Sequence, residues 1–365
     1  MPLELSPTRW RNHTMAKGRP DALRIKRKYL QRLREAKGLS EQSVDKAAAA
    51  IDRYLAWLAG GDLRNFHSEK AIAFKRHLAK PSAPGAAAPA ISTVNSTLRE
   101  LRAFFLWLAE EPGFRSRLSM SDADWFSPDR KSERARRGEL YRPHPSVEQT
   151  AHAIRSMPTA TIFERRDQAL MCFLFLTGAR ERSAMTVRMQ HIDLPARCVR
   201  FDGKLVDTKF GKRFTTKFFP VGQEFEDILA SWMTELKASE LWGPTDPCFP
   251  KTAVGVGATG GFEPVGLERA LWTSPARVVQ VFKGCFEAVG LPPFSPHSIR
   301  RTLMDLASVH CRTVEELKSW SQNLGHEDLT TTLTYYGSVS VGRQMEVIER
   351  MARRLPTGDR FLPDD

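Results

Sequence analysis

The chain has 365 residues, 41% hydrophobic and 27% charged, an ordinary globular composition that excludes a wholly disordered or collagen-like protein. Its length suits about two domains at the usual ~150 residues each, and 55 Lys and Arg against 42 Asp and Glu leave a formal charge of +13. The apolar stretch Ala169 to Ala179 is shorter than the roughly 20 residues a membrane-crossing helix needs, and no apolar signal segment follows the basic start, so a soluble cytoplasmic protein is expected.

The charge is lopsided. Residues 1–145 hold 28 Lys and Arg against 16 Asp and Glu, whereas the remaining 220 residues hold 27 against 26. From Arg9 to Lys37, eleven basic side chains face only Asp21 and Glu35. A field of this kind favours a polyanion, because each phosphate neutralised releases counterions. Arg24, Lys26, Arg27 and Lys28 are the candidate phosphate contacts. The five cysteines, an odd number with no CxxC pair, argue against a disulfide framework and a zinc finger.

Residues 1–20 read as a basic arm and 21–126 as a helical bundle. Periodic segments lie near 21–36 and 68–79. After Ser40, Val44, Ala48, Ile51, Leu55 and Leu58 recur at helical spacing until Gly60-Gly61. After Ser92, Val94, Leu98, Leu101, Phe105 and Leu108 do the same until Pro112-Gly113. The aromatic string Phe104, Phe105, Trp107 reads as helix core rather than a base-stacking platform. Residues 127–145 are charged, Pro-flanked and aperiodic, a linker.

A capping box of Ser146 and Gln149 opens a second domain over 146–340. Between 191 and 221, short β-prone runs separated by Asp202-Gly203 and Gly211 predict a small antiparallel meander. Helix returns after 223, with Ser274-Pro275 and Ser295-Pro296 read as N-caps followed by Pro at the first helical position. A last segment, 341–365, carries Met345, Ile348, Met351 and Leu355 as an apolar stripe bordered by Arg343, Arg350, Arg353 and Arg354. The expected fold is mainly α with one small antiparallel sheet.

Neither GxxxxGK[ST] nor GxGxxG is present, which disfavours a nucleotide-driven motor or dinucleotide enzyme, and HExxH is lacking as well. The chain offers instead a spread of cationic side chains ending in tyrosine: Arg180, Lys209, His297, Arg300, His326 and the pair Tyr335-Tyr336. Guanidinium groups can fork onto phosphate oxygens and stabilise transition-state charge. A tyrosine can form a covalent intermediate, and a lysine or histidine can protonate a leaving oxygen. Taken singly, Arg180 would more often be a surface arginine at a helix end, and Lys209 one hairpin lysine among several.

The three strings FLTGARERSAMTVRMQHIDL (175–194), PHSIRRT (296–302) and LGHEDLTTTLTYYG (324–337) resemble, in order, the boxes of the tyrosine recombinase (phage integrase) family. The resemblance implies a SAM-like N-terminal core-binding bundle and a C-terminal catalytic domain that clasp duplex DNA. It also implies cleavage through a 3′-phosphotyrosyl link with no cofactor and no metal. By the same resemblance, Arg180 and Arg300 clamp the scissile phosphate, His297 assists proton transfer, and His326 hydrogen-bonds the phosphate. The leaving-group acid is Lys209, with Lys212 as the alternative. The nucleophile is Tyr336 by the local register, with Tyr335 as the alternative by spacing. Two positions depart from the family pattern: Ser183 stands where relatives often carry an acid, which Glu181 can replace, and Arg301 stands where His is frequent and can add a DNA backbone contact. The implied partners are double-stranded DNA with recombination sites and, in synapsis, four copies of the chain, the free chain being expected as a monomer and no membrane being involved. The C-terminal helix docks either on a neighbouring copy or in cis. The rivals are a catalytically silent DNA-binding protein of the same fold and a type IB topoisomerase-like nicking-closing enzyme.

Overall fold

The computed structural model describes residues 19–81, 85–129, 143–203, 205–208, 211, 213–256, 260–326 and 341–352. The chain divides into two compact units, Met1–Glu139 and Leu140–Asp365.

The first unit contains α1 (Arg19–Glu35), α2 (Glu41–Trp57), α3 (Ser68–Leu78) and α4 (Ile91–Glu110), followed by a 3-10 segment Met120–Phe126. Its core is aromatic. Tyr54 of α2 meets Phe74, Phe105 and Phe126 edge-on at centroid distances of 5.1, 5.5 and 5.5 Å. Such edge-to-face packing uses the ring quadrupoles as well as apolar burial. Phe104, Phe105 and Trp107 are all buried, as helix core requires. Burial pushes the Tyr54 phenol far above its ordinary range. The α2 stripe runs through Val44, Ala47, Ala50, Ile51 and Tyr54, rotated slightly from the one predicted, because Tyr54 is the largest group facing the core. α4 begins at Ile91, so Ser92 lies inside its first turn.

The second unit is built around α6 (Ile162–Thr177), preceded by α5 (Val147–Arg155). Both start on side-chain capping boxes, Ser146 with Gln149 and Thr161 with Glu164. From Gln168 to Thr177 every residue of α6 is buried. A helix apolar on all sides belongs inside a domain, and several of the helices that follow pack on it. The helices that follow are α7 (Glu181–Thr186), α8 (Gln223–Ala238), α9 (Ala276–Glu287), α10 (Ile299–His310) and α11 (Val314–Asn323); α12 (Val341–Ala352) comes last in the chain.

The predicted meander is present as β1 (Ile192–Asp193), β2 (Cys198–Phe201) and β3 (Phe214–Lys217), antiparallel in that order, with Ile192 opposite Val199 and Val199 opposite Thr216. A second antiparallel pair, beyond the single sheet expected from the sequence, is formed by β4 (Lys251–Val256) and β5 (Phe262–Glu268). Its base is fixed by Arg166, which is fully buried and donates to the Pro250 carbonyl at 3.0 Å and Thr252 Oγ1 at 2.9 Å. The helix-start signals near 275 and 296 resolve differently. Pro275 is itself the N-cap of α9, in αR conformation, and Ser274 Oγ accepts the Ala276 N–H at 3.2 Å. Ser295 does cap Pro296, opening a 3-10 turn, Pro296–Ser298, that leads into α10.

Candidate active site

The site grows from the C-terminal end of α6. Gly178 adopts a left-handed conformation at φ +58° and caps the helix, its N–H bonding the Leu174 carbonyl at 2.8 Å. Glycine is required there twice over. A Cβ would also lie 2.5 Å from Leu324 Cδ2 and 2.9 Å from Leu303 Cδ1, side chains within or directly after the other two strings. The tight turn delivers Arg180 to the residue that caps α7.

Arg300 on α10 ties these strings together. It is 2% exposed, and its Nη1 donates to the Gly178 carbonyl while Nη2 donates to the Leu324 carbonyl, both at 2.6 Å. One planar guanidinium therefore bonds main chain 122 positions upstream and 24 positions downstream. The fork geometry that suits a guanidinium to two acceptors at once is what lysine lacks.

His297 and His326 share the field of the two arginines. Burial, then the charges of Arg300, Arg180 and His297, lower the His326 pKa to about 3. His326 is 7% exposed, its N–H bonds the Ser321 carbonyl at 3.1 Å, and Nδ1 lies 3.4 Å from Ser321 Oγ. His297 is solvent-exposed and lies beside the two arginines. Crowding by protein and the Arg300 charge lower its pKa to about 4, with Glu181 opposing and Arg180 and Arg301 assisting; solvent softens that effect. Both imidazoles are thus neutral at pH 7, each able to donate from one nitrogen and accept at the other. A site with clustered positive charge and two neutral imidazoles is suited to an anion whose negative charge grows during reaction.

The structure therefore brings Arg180, His297, Arg300 and His326 together, as the order of the strings implied. Lys209, Lys212, Tyr335 and Tyr336 lie outside the described residues. Ser183 and Glu181 make different contacts. Ser183 is 4% exposed and donates to the Asp207 carbonyl at 2.9 Å, while Glu181 acts on His297. Asn323 is a residue that motif reading missed. Its side-chain amide accepts the Lys217 N–H at 2.7 Å and donates to the Lys217 carbonyl at 2.9 Å, and its own carbonyl accepts from Thr216 Oγ1 at 2.8 Å. This amide-to-backbone pairing fixes β3 against the end of α11, one residue before the LGH string, and leaves no periodic signal in the sequence.

In the first unit, Arg24 and Arg27 are exposed, Arg24 pairing with Asp21 at 3.7 Å, while Lys26 pairs with Asp52 at 2.6 Å and Lys28 pairs with Glu111. Arg301 is half-buried beside the His297 site. No helix among the described residues is long and apolar enough to cross a membrane.

The end of α6 thus gathers two arginines and two neutral histidines at one place. Residues 146–341 match the phage integrase family, more than half of the chain, and the protein belongs to that family. It is 26% identical over 211 residues to tyrosine recombinase XerD of Neisseria meningitidis serogroup A, a match covering 56% of this chain and 62% of that relative. The chain thus matches about three-fifths of that relative's length. The fold is similar to the crystal structure of XerH site-specific recombinase bound to a palindromic difH substrate (TM-score 0.60, 13% identity, 93% of this chain and 90% of that one). It is similar also to a lambda integrase dimer bound to a COC′ core site (TM-score 0.57, 14% identity, 86% of this chain and 76% of that one). These likenesses fit a mainly helical fold with small antiparallel sheets.

Proposed function

We propose that this protein is a site-specific DNA recombinase that cuts and rejoins duplex DNA through a 3′-phosphotyrosyl intermediate. The observation that carries the reading is the junction at Arg300, where one buried guanidinium holds the turns leading to Arg180 and His326. In this reading Arg180 and Arg300 hold the non-bridging oxygens of the scissile phosphate, and His326 donates to one of them. Tyr336 Oη attacks phosphorus, its proton passing to His297, whose neutral ring is ready to accept it. As the Tyr–O–P bond forms, the bond to the 5′ oxygen breaks, and Lys209 supplies that oxygen with a proton. A 5′-hydroxyl from the partner duplex then attacks the phosphotyrosine and releases the tyrosine. The bond energy is kept in the intermediate, so no nucleotide is consumed.

Double-stranded DNA is the proposed partner, supported by the likeness to the XerH and lambda integrase complexes, in which those proteins are bound to their DNA sites. Residues 21–126 are proposed as the core-binding domain, with 1–20 as a basic arm, 127–145 as a linker and 146–340 as the catalytic domain. Arg27 and Arg301 then supply phosphate contacts, and Arg24, Lys26 and Lys28 do so after exchanging their carboxylate partners. Strand exchange needs four protomers on two sites. Met345 and Ile348 on α12 are 63% and 58% exposed, which supports docking of this helix, within 341–365, on a neighbouring copy. The setting proposed is the integration or excision of a mobile element on a chromosome in the cytoplasm.

The test is a nicked suicide duplex drawn from DNA flanking the gene, read on denaturing gels in the presence of EDTA. The expected result is a covalent protein–DNA band that Tyr336→Phe abolishes and Tyr335→Phe retains. The reverse pattern moves the nucleophile by one residue. No band from the unaltered protein on any site it binds favours the silent DNA-binding rival.

A further inference from the structure

Ser183 stands where relatives often carry an acid, yet it is buried and engaged. Its Oγ donates to the Asp207 carbonyl at 2.9 Å. One turn further along the same helix, Thr186 Oγ1 accepts the Asp207 N–H, also at 2.9 Å. Arg182 pairs with the Asp207 carboxylate at 2.8 Å. A single residue is therefore held at its amide, its carbonyl and its side chain by three members of α7, the helix that Arg180 caps. Asp207 is two positions ahead of Lys209.

The loop around Asp207 is closed independently. Gly203 and Gly211 approach so closely that a Cβ on Gly203 would lie 2.0 Å from the Gly211 carbonyl oxygen. The Leu205 and Val206 amides both bond the Asp202 carbonyl at 2.8 Å, and the Gly211 amide bonds the Thr208 carbonyl at 3.1 Å. Val206 and Thr208 are 1% and 7% exposed. Asp207 is thus anchored in a segment whose two glycines, Gly203 and Gly211, approach one another closely.

We propose that Ser183, with Arg182 and Thr186, is a positioning residue that latches the loop carrying the leaving-group lysine to the helix carrying the phosphate-clamping arginine. A lysine on a loop unattached to that helix would wander relative to the phosphate, and misplacement by about 1 Å can lower a rate by about 100-fold. The Ser183 contact runs to a main-chain carbonyl, to which a hydroxyl can donate and an ionised acid cannot. The exposed Arg182–Asp207 pair is the weakest of the three contacts, since solvent screens it. The proposal rests on the recombinase reading, in particular on Lys209 as the acid.

The test compares two suicide duplexes, one with the normal 5′ oxygen at the scissile phosphate and one with sulfur in its place. When the P–S bond breaks, the thiolate departs without needing a proton, so a defect that acts through the lysine disappears on the sulfur substrate. Ser183→Ala is expected to cleave the oxygen substrate about 10- to 100-fold more slowly, and the sulfur substrate within about twofold of the unaltered protein. Ser183→Thr, which keeps a donor, restores the oxygen reaction. Equal losses on both substrates would overturn the latch, as would no loss on either. If Ser183→Ala fails to fold, as judged by DNA affinity and thermal unfolding, Thr186→Val takes its place with the same two-substrate criterion. Lys209→Ala separates this outcome from the parent reading. Rescue of Lys209→Ala by sulfur without rescue of Ser183→Ala removes the latch alone. Failure of sulfur to rescue either Lys209→Ala or Lys212→Ala removes the acid assignment as well.

Discussion

Two arginines of the second unit are buried almost completely, and they are buried for opposite purposes. Arg166 on α6 lies against the Asp167 carboxylate at 2.9 Å, which also holds Arg277, while the Trp272 ring covers its guanidinium at 5.5 Å. Its charge is matched locally, and its remaining donors secure the start of β4. Arg300 donates to the main-chain carbonyls of Gly178 and Leu324, and its charge reaches outward to depress both His297 and His326. A carboxylate beside a buried cation makes it a strut. Carbonyl dipoles orient a cation while leaving its field to act on whatever enters the pocket.

The contrast can be broken by conservative substitution. Arg300→Lys keeps the charge and loses the fork, and covalent cleavage is expected to fall about 100- to 1,000-fold, with DNA affinity changed far less, as band-shift titration would show. Arg166→Leu leaves the Asp167 carboxylate with one cationic partner fewer and is expected to lower unfolding free energy by about 3 kcal/mol in urea titration, while the folded fraction cleaves normally. Similar cleavage by the two variants would abolish the distinction.

Titration sharpens the comparison at intermediate scale. The folded-state pKa values of His326 and His297, about 3 and about 4, lie below the value of 6.5 expected for an unfolded chain. Between those limits the unfolded chain binds more protons, so stability falls as pH drops from 6.5 towards 4. His326→Gln is expected to flatten that slope, and Arg166→Leu to leave it in place, in urea midpoints measured across the interval. The smallest effect belongs to the first unit. Neutralising the exposed Arg24 and Arg27 together should weaken binding to every DNA sequence and reduce its salt slope by about one unit for each phosphate left without its cation. An unchanged slope would remove both from the DNA interface.

The helices of the first unit were legible because their apolar residues recur at 3.6-residue spacing, and the capping box at Ser146 follows from side-chain chemistry within four residues. The β4–β5 pair was illegible for a physical reason. Val254, Val256, Phe262 and Val265 are 59–84% exposed, so no polar–apolar alternation marks a buried face, and Gly255 and Gly266 interrupt the strands. Of the candidate site, the arginines and histidines announced themselves through local strings. The contacts of Ser183, Thr186 and Asn323 did not, since each acts on the backbone of a residue more than 20 positions away. A contact to an amide or carbonyl imposes no identity on its partner, so it writes nothing into the partner's sequence.

The long reach of Arg300 also bears on how the protein comes into being. Its bonds join Gly178 to Leu324, and the crowding of Leu303 and Leu324 against Gly178 makes the junction a single cooperative piece. Contacts across such separations close late, after local helices have formed. A chain emerging from the ribosome completes its basic helical bundle long before Leu324 has been translated. On the function proposed above, the growing polypeptide would be able to meet nucleic acid well before the site that would cut it is assembled.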